Sequence, residues 1–346
     1  MRAGRYPELE VEDDRHRSTW VTLRRYPSER VRVAGISLNN TTNLRIRGFR
    51  ITRWVNLGDG TANVALVGND ISPRGLRLRS VEAILIAGNR IHDLAPRTAD
   101  GRCSCGIWAQ ASGDVTVRGN VITKTSDDGI QFGNGYDILI EGNTVVDSLS
   151  IGDGSHVDSV HIMGGDGIRI RNNRFQHNQH GLMFTDHAAF NVVIENNVVA
   201  DIVYGAGLNT GDIPGARIVN NTFWRTRYGV MIRDDDRDTP TPSGIVFVNN
   251  IVDYQRSSSH WFATHDYNLI AGGSRYGAHD LVGSAVFRAP WSGDFRLAAR
   301  SRGIDAGTSE GTPGVDRAGR ARRDDPDVAN TGGGDPNWYD VGAQER

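Results

Sequence analysis

The sequence is short of the residues that mark several protein classes. It has 2 cysteines in 346 residues, which is no disulfide framework. They are Cys103 and Cys105. A lone C-x-C is also a poor metal site, and the pair reads as two small residues near a strand start. Lysine occurs once, at Lys124, so 38 of the 39 basic residues are arginine and nearly every candidate lysine base is gone. Net charge is missing as well. The 39 basic and 41 acidic side chains leave −2, against a nucleic-acid partner or a membrane surface. No apolar run approaches the roughly 20 residues of a membrane span. No basic-then-apolar leader follows Met1, so no signal peptide is expected in this chain. No segment carries helical periodicity.

What the chain does have is a repeat. Short aliphatic-alternating runs end in Gly-Asn or Asn-Asn: VALVGN, ILIAGN, VTVRGN, ILIEGN, IRIRNN, VVIENN, ARIVNN and IVFVNN. Their last residues are Asn69, Asn89, Asn120, Asn143, Asn173, Asn197, Asn221 and Asn250, at steps of 20, 31, 23, 30, 24, 24 and 29. NLRIRGF at 43–49 is a degenerate earlier copy. Between these lie second runs that usually open on Gly, such as GLRLR, GIWAQ, GIQFG and GLMFT. Period-2 runs of four to six residues are short strands with one buried face. One such coil cannot bury its own apolar side chains, so coils must stack with like residues above like. The strands then pair in parallel about 4.8 Å apart. The recurrent asparagine is expected at a turn in left-handed φ, its amide bonded to the same amide one coil on.

This spacing, with N-x-(I/V/F) after each asparagine, resembles the repeats of the pectate-lyase-like superfamily over about residues 40–255. The resemblance implies an all-β fold: a single-stranded right-handed parallel β-helix of about ten coils with an irregular C-terminal closing segment. RAGRYPELEV and VTLRRYPSERVRVAG resemble the usual first coils of such proteins, and residues 1–20 are expected to cover the open N-terminal end. The tail from DFRLAARSRGIDAGT to YDVGAQE resembles their closing segment. The expected organisation is one domain. Residues 1–255 form the solenoid, 1–39 being its first coils, and 256–346 form the terminal coils and closing segment.

Function in a solenoid lives on one stacked face and its turns. Aligned on the Gly of the second run, Asp128, Asp158 and His180 stack in successive coils. Asp127 adjoins Asp128, while His156 and His161 flank Asp158. Two carboxylates one coil apart cannot both ionise cheaply, which puts an acid beside a base, as glycoside cleavage requires. Asp-Gly or His-Gly at a strand start is also ordinary turn chemistry, but the cluster exceeds what turns need. Candidate substrate-binding residues are Gln131, Arg77, Trp108, Asn209, Arg233 and Tyr204. Asp186, Asp212 and Asp234 form an acidic column that suits Ca²⁺ as an oxygen-ligand site, or a solvated turn edge compensated by Arg233. No cofactor is required.

The layout is similar to that of polygalacturonase-type hydrolases of the same superfamily, with Asp128-Gly129, Asp158-Ser159 and His180-Gly181 at comparable steps. Asn-Thr-Asp, Gly-His-Gly and Arg-Ile-Lys are all missing. The first expectation is therefore a glycoside hydrolase using paired Asp128 and Asp158, with His161 and His180 positioning the substrate. The second is a polysaccharide lyase or uronate epimerase, with His161, His156 or Lys124 as base and Arg77, Arg79 or Arg233 neutralising the carboxylate. The third is a non-catalytic glycan-binding solenoid. The partner is a polysaccharide or oligosaccharide, the chain is expected to be a monomer, and polymeric glycans place the natural parent outside the cell.

Overall fold

The computed structural model describes the chain except residues 15–17, 97–102, 151–155, 212 and 235–240, and of residue 14 the backbone alone. Among the described residues the regular structure is strand, apart from the 3₁₀ turns Ser259–Trp261 and Pro290–Ser292. No helix is long and apolar enough to cross a membrane. The chain divides into two compact units, Met1–Ile168 and Arg169–Arg346.

In the first unit, each coil contributes strands to three parallel rows. Val55, Leu76, Ile107 and Ile130 stand in register in one row. Val64, Ile84, Val115 and Ile138 stand in a second, and Ile71, Ile91, Ile122 and Val145 in a third. All are at most 1% exposed, so the alternation in the sequence becomes one continuous aliphatic core. The first coils join the same rows, Leu9–Asp14 on Ile36–Arg47 and Gly4–Tyr6 on Val31–Val33. The glycines that open the second runs are set by close approach: a Cβ on Gly75 would collide with the Cys105 and Gly106 carbonyls.

The second unit repeats the scheme. Ile170, Ile194, Ile218 and Phe247 stand in register, as do Phe175, Val199, Phe223 and Val252. Its last residues fold over these coils. The antiparallel strands Phe287–Ala289 and Asp294–Leu297 bring Phe287, Phe295 and Leu297 against Val198, Ile251, Leu269, Val341 and Ala343. Trp224 packs edge-on against Phe287, Phe295 and Trp291.

The asparagines form ladders inside each unit. In the first, Asn69 donates from its backbone and its side chain to Asn89 Oδ1 (2.9 and 3.1 Å), and the pattern repeats to Asn120 and Asn143. In the second it runs from Asn173 to Asn250 and continues to Asn268, where Asp280 Oδ1 takes the terminal pair at 2.9 and 3.0 Å. One expectation needs correction. The ladder asparagines are not left-handed; the residue before each is, namely Gly68, Gly88, Gly119, Gly142, Asn172, Asn196, Asn220 and Asn249. The turn needs φ > 0 one position earlier, which only Gly or Asn supplies cheaply, and this explains why the repeat reads Gly-Asn or Asn-Asn.

Candidate functional site

The reactive side chains of the first unit gather at the turn TSDD and at the start of Asp158–Arg171. Thr125 Oγ1 donates to the Asp127 carbonyl (2.7 Å), and the Asp128 N–H donates to Asp127 Oδ1 (3.2 Å), which fixes the turn. The Asp158 N–H donates to Asp128 Oδ1 at 2.7 Å. His161 Nδ1 lies 3.2 Å from Asp128 Oδ2 and 3.5 Å from Asp158 Oδ2. His156 Nδ1 lies 2.9 Å from Asp158 Oδ2. Both carboxyls are buried, with side chains 4% and 0% exposed, while His161 is 16% and His156 50% exposed.

Burial is the main force raising both carboxyls above their ordinary range; their histidine partners oppose it, and the Asp128 charge adds to the rise of Asp158. The hydrogen bond to Asp158 raises the His156 imidazole. The arrangement holds two imidazoles on two buried carboxyls, one ring exposed and one nearly covered. Asp128, Asp158 and His161 offer three donor atoms that all lie within 4.8 Å of one another.

The outward row of the same unit leads to this cluster. Ser37, Asn56, Arg77, Trp108 and Gln131 stand in register on successive coils. The Gly129 N–H donates to the Asp158 carbonyl (2.8 Å) as the Gly106 N–H donates to that of Asp128 (2.9 Å), so His161 takes the next place after Gln131. Gln131 Nε2 lies 3.6 Å from Met163 Sδ. The Arg77 guanidinium stands 4.6 Å from the Trp108 ring centre. Arg77 and Asn56 border two hollows. One, of about 520 Å³, is also lined by Glu8, Glu10, Trp54 and Arg74. The other, of about 360 Å³, adds Trp108, Arg79 and Gln110.

Sequence reasoning missed the first of these hollows. Its signal lies one coil upstream, where Asn56 extends the column of Arg77 and Trp54 stands two residues before it. The cysteines also need correction. Cys103 and Cys105 are joined as a disulfide, with Cα atoms 5.2 Å apart, and line the same hollow rather than serving as two small residues. Their Cα atoms lie in bridging range, which spacing alone does not disclose. Asp127 faces that side, its Oδ2 accepting the Ser104 N–H at 3.4 Å.

The remaining candidates belong to the second unit. His180 begins the strand His180–Phe184, and its ring covers Gly205. Asn209 stands in register between Met183 and Met231, with Nδ2 3.3 Å from Met183 Sδ. Tyr204 is 59% exposed. Arg233, Asp186 and Asp234 are exposed, and Asp186 is left-handed. Among the described residues, neither Asp186 nor Asp234 belongs to a group of converging metal donors, and Asp212 lies outside the described residues.

Comparison with known proteins agrees with the coils. A family model described as the right handed beta helix region matches residues 34–159. A second, described as periplasmic copper-binding protein (NosD), matches residues 150–272. The chain is a right-handed parallel β-helix protein. No curated protein matches it. Two solved structures similar to it are of PfbA, a surface adhesin of Streptococcus pneumoniae. One has TM-score 0.36 at 8% identity, covering 82% of this chain and 84% of that one; the other has 0.35 at 9%, covering 81% and 88%.

Proposed function

We propose that the chain is a carbohydrate-active enzyme that holds an acidic polysaccharide along the outward row of its first unit and reacts with it at the Asp128–Asp158–His161–His156 cluster. The observation that carries this reading is the half-exposed His156 ring, held by a buried carboxyl beside a row containing Arg77, Trp108 and Gln131. Trp108 offers a face for a sugar ring, and Arg77 a charge for a uronate carboxylate at a subsite some coils away.

The same geometry favours proton abstraction over hydrolysis by paired aspartates. Carboxyls 4% and 0% exposed do not reach a glycosidic oxygen, whereas His156 is open to substrate. In a lyase, His156 takes the proton beside the uronate carboxylate, the carbon–carbon double bond forms, and the glycosidic carbon–oxygen bond breaks as its oxygen takes a proton from water. An epimerase would instead add a proton from water on the opposite face and keep the glycosidic bond. The disulfide and the periplasmic description of the second family model support a place outside the cytoplasm.

The test is a panel of uronate-containing polymers read by near-ultraviolet absorbance and by reducing ends together. Absorbance that rises with wild type and falls at least about 100-fold with His156→Ala supports the lyase. Reducing ends without absorbance would return the site to hydrolysis. Retarded migration of a polymer with no product on either readout would make the chain a glycan binder.

A further inference from the structure

We propose that Asp128, Asp158 and His161 form a binding site for one first-row divalent metal ion, of which Zn²⁺ is the best match. The site shares residues with the reading above and rests on it only for that location. Three donors converge, two carboxylate oxygens and one imidazole nitrogen, and all are at most 16% exposed. Their spacing suits an ion. His161 Nδ1 is 3.2 Å from one carboxylate oxygen and 3.5 Å from the other. A tetrahedral ion with bonds of about 2.1 Å sets its ligands about 3.4 Å apart.

A second observation comes from Asp158. Its Oδ2 is held by His156, but its Oδ1 is buried and, among the described residues, has no hydrogen-bond partner. A buried carboxylate oxygen without a partner is costly, and native structures rarely leave one. A cation held by the Asp158 carboxylate through Oδ2 and shared with Oδ1 would give Oδ1 the partner it lacks, while Oδ2 keeps its contact with His156. It would also supply the positive charge that two buried carboxyls side by side need. The nitrogen and the small donor number argue against Ca²⁺, which takes six to eight oxygens. Mixed imidazole and carboxylate donors fit Zn²⁺, with Cu²⁺ expected to bind at least as tightly on the general affinity order. Three protein ligands leave a fourth position for water.

The experiment is titration calorimetry of the chelator-treated full chain with ZnCl₂, with CuCl₂ and CaCl₂ alongside and no glycan present. The expected result is one Zn²⁺ per chain, Cu²⁺ binding at the same stoichiometry, no Ca²⁺ heat, and affinity reduced at least ten-fold in both Asp158→Asn and His161→Gln. Co²⁺ gives a second readout, because its visible absorption reports a tetrahedral nitrogen–oxygen site. That band should appear with wild type and with a His92→Gln control, whose ring is held by Asp70 and Asp93 and not by the cluster, and be lost with His161→Gln. No stoichiometric Zn²⁺ binding by wild type, or unchanged binding in both site variants, overturns the proposal. Ion binding without glycan turnover would leave this inference standing and remove the enzymatic one; glycan turnover by a chain that binds no Zn²⁺ would do the reverse.

Discussion

In the coils of the second unit, Asn197, Asn221 and Asn250 each repeat the same three bonds. Each donates its backbone N–H and its amide to the next asparagine, and the amide again to a carbonyl of the previous coil. In the closing segment of that unit, Arg322 makes five bonds that occur once. They go to Pro313 O, Asp340 O, Glu345 Oε2, Asn196 Oδ1 and Gly342 O, at 2.8 to 3.3 Å. The coils spread polar satisfaction over equivalent neutral amides; the closing segment concentrates it on one buried charge. A repeat can lose one rung and keep the others, whereas a segment tied by a single guanidinium has no spare.

The largest expected effect follows from that difference. Arg322→Met strands Glu345, whose carboxyl is already pushed up by burial, and should cost about 3–5 kcal/mol by denaturant unfolding. The double variant Arg322→Met with Glu345→Leu should recover most of the loss, because no uncompensated charge then remains. If the double variant is no more stable than the single one, Arg322 acts by packing and the contrast with the coils fails.

A smaller effect separates the two regions by pH. Asp253, in the strand Ile251–Arg256, is raised by burial to about 6. Asp340, in the closing segment, is raised by burial and by Glu345 to about 8. Both folded values exceed the unfolded value, so each carboxyl prefers to stay protonated in the fold. The stability present below about pH 4 is therefore lost as pH rises, up to about 6 for Asp253 and about 8 for Asp340. For Asp253 the loss is about 3 kcal/mol at most. Asp253→Asn should flatten stability between pH 4 and 6, and Asp340→Asn should flatten the part that continues toward 8. After correction for the intrinsic pH dependence of amide exchange, protection between pH 6 and 8 should fall in the closing segment and not in the coils. An equal fall in both would show that the two regions open together.

The two regions were also unequally legible in the sequence. The coils announce themselves, because a period-2 aliphatic run before Asn can only pay its burial by stacking, and stacking fixes the register that puts Asp128, Asp158 and His161 together. The same pattern does not tell how deep a turn residue sits. Asp158 and His156 are two positions apart, yet one is fully buried and the other half exposed. The left-handed residue was misplaced by one position because the pairs Gly-Asn and Asn-Asn each offer a second candidate for the turn. Asn268 escaped notice because DYNLI has no alternating run before it. The hollow at Glu8 and Trp54 draws on coils too irregular to align, and Arg322 is one arginine among 38 until the fold buries it.

The smallest effect tests whether a rung is as dispensable as the repeat suggests. Asn221→Ala removes the oxygen that accepts from the Asn197 backbone and side chain, and the amide that donates to Ile194 O. Buried donors left without a partner cost about 1–3 kcal/mol, below the Arg322 effect despite a similar number of broken bonds, because no charge is stranded. The damage should stay local. Amide exchange should rise at Asn197 and Thr222, while the closing segment keeps its protection, since Arg322 and Glu345 do not touch the missing amide. Asn221→Asp makes the sharper variant: its oxygen still accepts both Asn197 bonds, so only the bonds its amide donates, to Ile194 O, Val219 O and Asn250 Oδ1, are lost and a buried charge is gained. If the aspartate variant proves less stable than the alanine one, the rung, like the closing segment, is limited by charge rather than by hydrogen bonding; if it is more stable, the accepting oxygen is what the ladder needs.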